Sequence, residues 1–169
     1  MSLSMYALSV PNLQRLLRNL RTILEKGAAH AEVHKIEPAA LLGFRLFPDM
    51  YPLTRQVQIA TDMAKGCAAR LGGVDVPRYE DNETAFDTLL ARIDKTLAFI
   101  DSVPAAGFDG AQAREIVMKT PRSELRFANG VEYLQGFVLP NLHFHCTTAY
   151  NILRHNGVVL SKQDYLGGI

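Results

Sequence analysis

The sequence predicts an all-α protein: an up-down four-helix bundle with a small β-hairpin before the last long helix, one domain over residues 1–169. Three observations carry this. Apolar side chains recur at helical steps of three and four in four long segments. Caps, prolines and glycines stand where such segments should start and stop. Only one short stretch, ahead of the fourth segment, has the turn chemistry and residue types of paired strands. Amphipathic stripes of this length bury themselves best against one another, which gives a bundle.

The first helix is read as opening with Ser9 as N-cap and Pro11 in its first turn, where the missing N–H costs nothing. Leu13, Leu16, Leu17, Leu20, Ile23 and Leu24 form its stripe, which runs to about Ala31; Arg15, Arg18 and Arg21 lie off it. A short helix follows from Pro38 through Leu42. The second long helix begins near Pro52 and ends at Leu71, with Gly72-Gly73 to stop it. Its stripe is Leu53, Val57, Ala60, Ala64, Cys67 and Leu71, and the small residues let a neighbour approach closely. The third takes Asn82 as cap and buries Phe86, Leu89, Leu90, Ile93, Leu97 and Ile100 before Pro104. Residues 75–101 carry seven acids against three bases, read as a solvated face that also complements the basic first helix. The hairpin pairs Glu115–Lys119 with Glu124–Phe127 around the turn Thr120-Pro121-Arg122-Ser123. Asn129 caps the fourth helix in a capping box with Glu132. That helix runs to Asn156 and Gly157, and Pro140 predicts a kink or break near 136–140. A tail, Ser161–Ile169, completes the chain.

Composition limits the function classes. At 48% hydrophobic and 21% charged, the chain is not a disordered one. A net charge of +1 gives no ground for a nucleic-acid partner. Met1 to Arg15 lacks the basic cluster and apolar core of a secretory signal. No run approaches the ~18–20 apolar residues that span a bilayer, so no membrane partner is expected. Cys67 and Cys146, far apart on helical stripes, read as buried free thiols. The expectation is a soluble cytoplasmic protein.

Histidine is the informative residue type. His30 and His34, spaced i, i+4, could share a metal, but at a helix end they read better as exposed or capping rings. His143 and His145 project about 200° apart on a regular helix and cannot both reach one metal, which makes them weak candidates for one. His145 lies on the inward stripe, seven residues from both Val138 and Ile152, so its ring must find a partner or line a cavity. His155, in the last turn, reads as a C-terminal cap. Gln56 flanks the second stripe and could reach inward. Asp62 and Lys65 read as a surface pair. Asp49 is placed to cap the second helix or to lend a carboxylate to a pocket. The candidate pocket is therefore His145, Gln56, Asp49, Asp62 and Tyr150. No GxSxG, HExxH, paired CxxC, P-loop or GxGxxG string occurs.

Three segments carry a resemblance. LPNLHFHCTTAYNILRHNGVVLSKQDYLG (139–167), FPDMYPLTRQVQIATDMAKGCAARLGGVDVP (47–77) and MYALSVPNLQRLLRNLRTILEKGAAHA (5–31) resemble the family known as domain of unknown function 1993. The strings LRHNGV and QVQIATDxAKG are its most specific parts. That family is related to the DinB/YfiT-like superfamily of four-helix bundles, so the resemblance implies that fold. The superfamily pattern, a metal-binding His on the second helix and an HxxxH pair on the last, implies a divalent metal as cofactor. Here residues 52–71 contain no His, and His143 and His145 are two apart, so the full His triad is missing. The resulting expectation is a non-catalytic or small-ligand-binding homodimer. The alternative is a metal-dependent transferase or hydrolase with its pocket between the second and fourth helices.

Overall fold

In the computed structural model, which describes residues 4–119 and 123–168, four long helices form the bundle. They are α1 (Met5–His34), α3 (Leu53–Gly72), α4 (Phe86–Ser102) and α6 (Leu139–His155). The short α2 (Pro38–Leu42) links α1 to α3 where the sequence predicts it. A 3₁₀ turn, Ala105–Phe108, leads from α4 to the antiparallel pair β1 (Ile116–Lys119) and β2 (Glu124–Phe127), with Ile116 opposite Phe127. The predicted turn residues Thr120, Pro121 and Arg122 lie outside the described residues. Three further pieces follow: α5 (Gly130–Glu132) before α6, the π-turn Tyr133–Val138 between them, and α7 (Lys162–Leu166) after α6.

α3 is the central helix. It packs most extensively on α6 and next on α4, and α1 closes the bundle against α4, α3 and α6. The predicted α3 stripe (Leu53, Val57, Ala60, Ala64, Cys67, Leu71) is fully buried. Small residues at the middle of that stripe let α6 come close, where Cys146, Ala149 and Ile152 meet the same core. Gly73, at φ +69°, ends α3 in the left-handed conformation that Gly adopts without strain. Among the described residues no helix is long and apolar enough to cross a membrane.

Several ends differ from expectation. α1 starts five residues earlier, at Met5, capped by Ser4, whose Oγ accepts from the Ala7 N–H at 3.1 Å. Ser9 is not the cap; it is buried within the helix and its hydroxyl donates to the Met5 carbonyl at 2.6 Å. Pro11 thus sits inside α1, and the extra turn at its N-terminal side buries Met5 and Val10, which offsets the lost backbone bond. Asn82 does not cap α4 either. Ala85 takes that position, its N–H donating to the Thr88 hydroxyl at 3.2 Å, which donates to the Ala85 carbonyl at 2.8 Å. Asn129 does cap the last segment, accepting from the Glu132 N–H at 2.9 Å, while the Glu132 carboxylate reaches the N–H of Ala128. The break expected around Pro140 takes the form of the π-turn, one of the devices that accommodate a missing N–H. The tail contains α7, which packs back on α1, with Lys26 paired to Asp164. Arg21 bonds to Asp94 at 2.7 Å, so the acidic α4 does face the basic α1.

Candidate functional site

His145 and Gln56 meet across the α3–α6 seam. The imidazole Nδ1 lies 2.7 Å from Gln56 Oε1, and Gln56 Nε2 donates to the Tyr51 carbonyl at 3.0 Å. A carbonyl only accepts, so the Tyr51 bond fixes which end of the amide is which. The Gln56 oxygen then faces His145, and Nδ1 must carry the proton. Nε2 is left as an unprotonated acceptor in the neutral ring. It has no partner, and among the described residues no buried side-chain polar atom lacks one, so Nε2 reaches solvent although the residue is only 8% exposed. Burial, and secondarily the charge of Arg55, hold the imidazole below the ordinary histidine range. The ring is therefore neutral near pH 7. Phe144 stands edge-on to it, with centroids 5.3 Å apart, and the side chains of Phe144 and Tyr51 are exposed.

The other candidates do not join this pair. Asp49 is exposed and its side chain bonds to none of the described residues, and α3 has no side-chain N-cap, so neither role expected of Asp49 is seen. Asp62 turns toward α4, its carboxylate meeting Lys65 of its own helix at 2.9 Å and Arg92 of α4 at 3.0 Å. The Asp62–Lys65 pair is not a surface one, because the Lys65 side chain is 6% exposed and its ammonium lies 3.9 Å from the centre of the Tyr79 ring. Tyr150 packs edge-on against Tyr165 of α7 in a cavity of about 180 Å³ that Thr147 also lines. His143 points the same way, its Nδ1 2.9 Å from the Tyr165 hydroxyl. Burial, with Arg15 adding to it, lowers its pKa. The two neighbouring histidines thus serve opposite faces of α6, as the 200° separation requires. His30 and His34 stack at 4.1 Å, with His34 Nδ1 at the His30 carbonyl, and His155 lies against Phe44. Cys67 and Cys146 are free and buried, and burial pushes both thiols up to about 12.

The family described as domain of unknown function (DUF1993) matches residues 5–166. The chain belongs to that family. A DUF1993 chain is also similar to a solved structure, a DinB family member protein from Shewanella denitrificans. The two share 40% identity over 98% of this chain and 93% of that one, with a TM-score of 0.88. No curated protein matches the sequence.

A divalent metal, which the DinB-like resemblance implies, does not suit this DUF1993 chain. His145 offers one nitrogen, the Gln56 oxygen is already engaged by Nδ1–H, and neither carboxylate candidate approaches. Among the described residues no three His, Cys, Asp or Glu side chains stand together as a ligand set.

Sequence reasoning missed the largest polar assembly. Arg92 of α4, with a side chain 2% exposed, donates to Thr61 Oγ1 at 2.7 Å, Glu83 at 2.9 Å and the Glu80 carbonyl at 3.0 Å. It also meets Asp62 and Asp81. Its position beside Ile93, three residues after Leu89, was the available signal: an arginine on the edge of a buried stripe needs acceptors. The acids of residues 80–83 supply them, so that run is only in part a solvated face.

Proposed function

We propose that the protein is a small-ligand-binding bundle that works as a homodimer in the cytoplasm and runs no metal-dependent reaction. The observation that carries this reading is the His145–Gln56 pair. Its geometry leaves one neutral acceptor nitrogen reaching solvent, on a ring that the exposed Phe144 meets edge-on. A lone acceptor beside an exposed aromatic ring suits a planar ligand that donates one hydrogen bond. It is a poor start for a metal centre, which needs three or four converging donors. Phe47, 64% exposed and on the same loop as Tyr51, adds apolar surface that a second copy would cover. The buried thiols suit a reducing compartment.

The runner-up is an enzyme using His145 as general base, which the lowered imidazole pKa favours. One set of measurements separates them. Zinc, nickel and manganese are titrated into wild type and His145→Ala, and a fragment library of planar hydrogen-bond donors is screened on the backbone amide resonances of both. The proposal expects no stoichiometric metal, and saturable fragment shifts that His145→Ala abolishes. Stoichiometric metal lost on that substitution would overturn it. A light-scattering mass equal to the 18.7 kDa chain would remove the homodimer.

A further inference from the structure

A second concave surface lies on the other side of α3, where the residues 74–79 and the hairpin pass over it. It encloses about 630 Å³ and is lined by Arg55, Lys65, Arg70, Arg78 and Lys119, with Asp62 the one acid. These five cations come from α3, the following segment and β1, so the fold, not one helix face, converges them. Two are already paired, Lys65 to Asp62 and Arg55 to Asp81. Among the described residues the remaining three have no carboxylate: Arg70 spends one N–H on the Tyr133 hydroxyl at 3.0 Å, and Arg78 and Lys119 make no side-chain bond.

Arg70 is held in place by a feature of its own helix. A Cβ on Gly66 would lie 2.4 Å from Arg70 Nη1, so the bare glycine lets the guanidinium fold back over α3 to Tyr133. Such pre-positioning lowers the ordering cost of a ligand contact. The rest of the lining is apolar or aromatic: Met63, Met118, Val76, Pro77 and the Tyr79 ring. Uncompensated cations in a concave wall focus positive potential on its mouth.

We infer that this groove binds an organic phosphate, a small molecule with a phosphoryl group for Arg70, Arg78 and Lys119 and an apolar body for the methionines and Tyr79. A phosphomonoester carries nearly two charges and three acceptor oxygens, which matches three cations arriving from different segments. The cavity is larger than inorganic phosphate needs and lies within the range of small-molecule sites. The inference does not rest on the His145 reading; Arg55 alone is near both.

The test is calorimetric titration of the full chain with phenyl phosphate and with inorganic phosphate, repeated on Arg78→Gln/Lys119→Gln and on Arg154→Gln, an exposed position on α6. Since Arg78 and Lys119 hold no partner among the described residues, the double variant keeps its melting temperature. Phenyl phosphate is expected to bind at one site, roughly tenfold more tightly than inorganic phosphate. Its affinity should fall at least ~10-fold in the double variant and weaken as salt rises from about 50 to 300 mM, and Arg154→Gln should retain it. No saturable binding, or equal binding by the double variant, overturns the groove. Equal weakening by Arg154→Gln would mark diffuse surface attraction and overturn it too. Inorganic phosphate binding as tightly as phenyl phosphate would refute the apolar half.

Discussion

Arg92→Met is the sharpest probe of how this bundle is held. The methionine keeps much of the apolar stem and removes the guanidinium from a site where that group is 2% exposed. Its acceptors differ in what they lose. Asp62 keeps Lys65, Asp81 keeps Arg55, and the Thr61 hydroxyl still donates to the Gln58 carbonyl. Both aspartates are also more than a third exposed, so water takes over much of their solvation. Glu83 is the stranded group: its side chain is 9% exposed, and the Gln58 amide and its own backbone N–H remain to it, with no cation. Breaking a buried ion pair costs about 3–5 kcal/mol, and with one stranded carboxylate the expected loss is about 3. In a chain of this length that lowers Tm by about 6–12 °C.

Adding Glu83→Gln should restore about 2 kcal/mol, since it deletes the unpaired charge. Urea unfolding with a constant m-value is the assay. The pH dependence gives an independent sign. In the wild type, burial pushes the Glu83 carboxyl up, but its bonds from Arg92 and Gln58 outweigh this and leave it below the ordinary glutamate range. Its contribution is therefore full above the unfolded value of about 4.3 and lost as pH falls through the folded value. Without Arg92, burial is opposed only by the Gln58 amide and the backbone N–H of Glu83 itself, so the carboxyl moves up from its wild-type position. Acidification from neutral pH then costs Arg92→Met less stability than it costs wild type. A double variant as unstable as Arg92→Met, or an unchanged pH slope, would refute the stranded-charge account.

Two further outcomes test the packing. Gly107→Ala should cost about 2–3 kcal/mol, because its Cβ would stand 2.3 Å from the Gly72 carbonyl oxygen, where backbone cannot yield. Gly136, with nothing within 4 Å of its Cβ, should accept Ala with no loss beyond ~0.5 kcal/mol; equal costs in urea unfolding would refute the close approach. Cys67 and Cys146, both buried with pKa about 12, should resist a thiol-specific disulfide reagent at pH 8 and release two equivalents only in denaturant. Stoichiometric labelling of the native protein within minutes would contradict their burial.

The long-range frame was legible because periodicity reports burial directly. Leu13, Leu17 and Leu24 of α1 and the whole α3 stripe are fully buried where the spacing puts them. Helix starts were less legible, since a cap is chosen by competition. Ser9 and Asn82 have cap chemistry, but one more buried turn favours Ser4, and the Thr88 hydroxyl satisfies Ala85 without an Asx residue. His145 could be singled out because a polar ring on an apolar stripe needs a partner, and Gln56 because it flanks the facing stripe. Which ring nitrogen faces out was not legible. That depends on the Tyr51 carbonyl, five residues upstream of Gln56, fixing the amide. Arg92 escaped notice for the opposite reason. Its acceptors lie 9 to 12 residues upstream in an irregular segment and 30 to 31 upstream on α3, and no periodicity reports such contacts.

These pieces give α3 an unusual division of labour. Its small residues admit α6, and Gln56 turns there to hold His145. Gln58, Thr61, Asp62 and Lys65 face α4 and the acids that neutralise Arg92. Arg55 and Arg70 project toward residues 74–79 and the hairpin. One helix therefore carries a neutral hydrogen-bonded seam, a neutralised charge network and an uncompensated basic wall on successive faces. The difference between the last two is arithmetic of partners. Arg92 is surrounded by carboxylates and is structural, and among the described residues Arg70, Arg78 and Lys119 are left without any. A fold gains nothing from gathering three unpaired cations, because their mutual repulsion opposes compaction. Their convergence on one cavity is accordingly better explained by a ligand's charge than by stability, and an anion there should raise Tm while the Arg92 network stays unchanged.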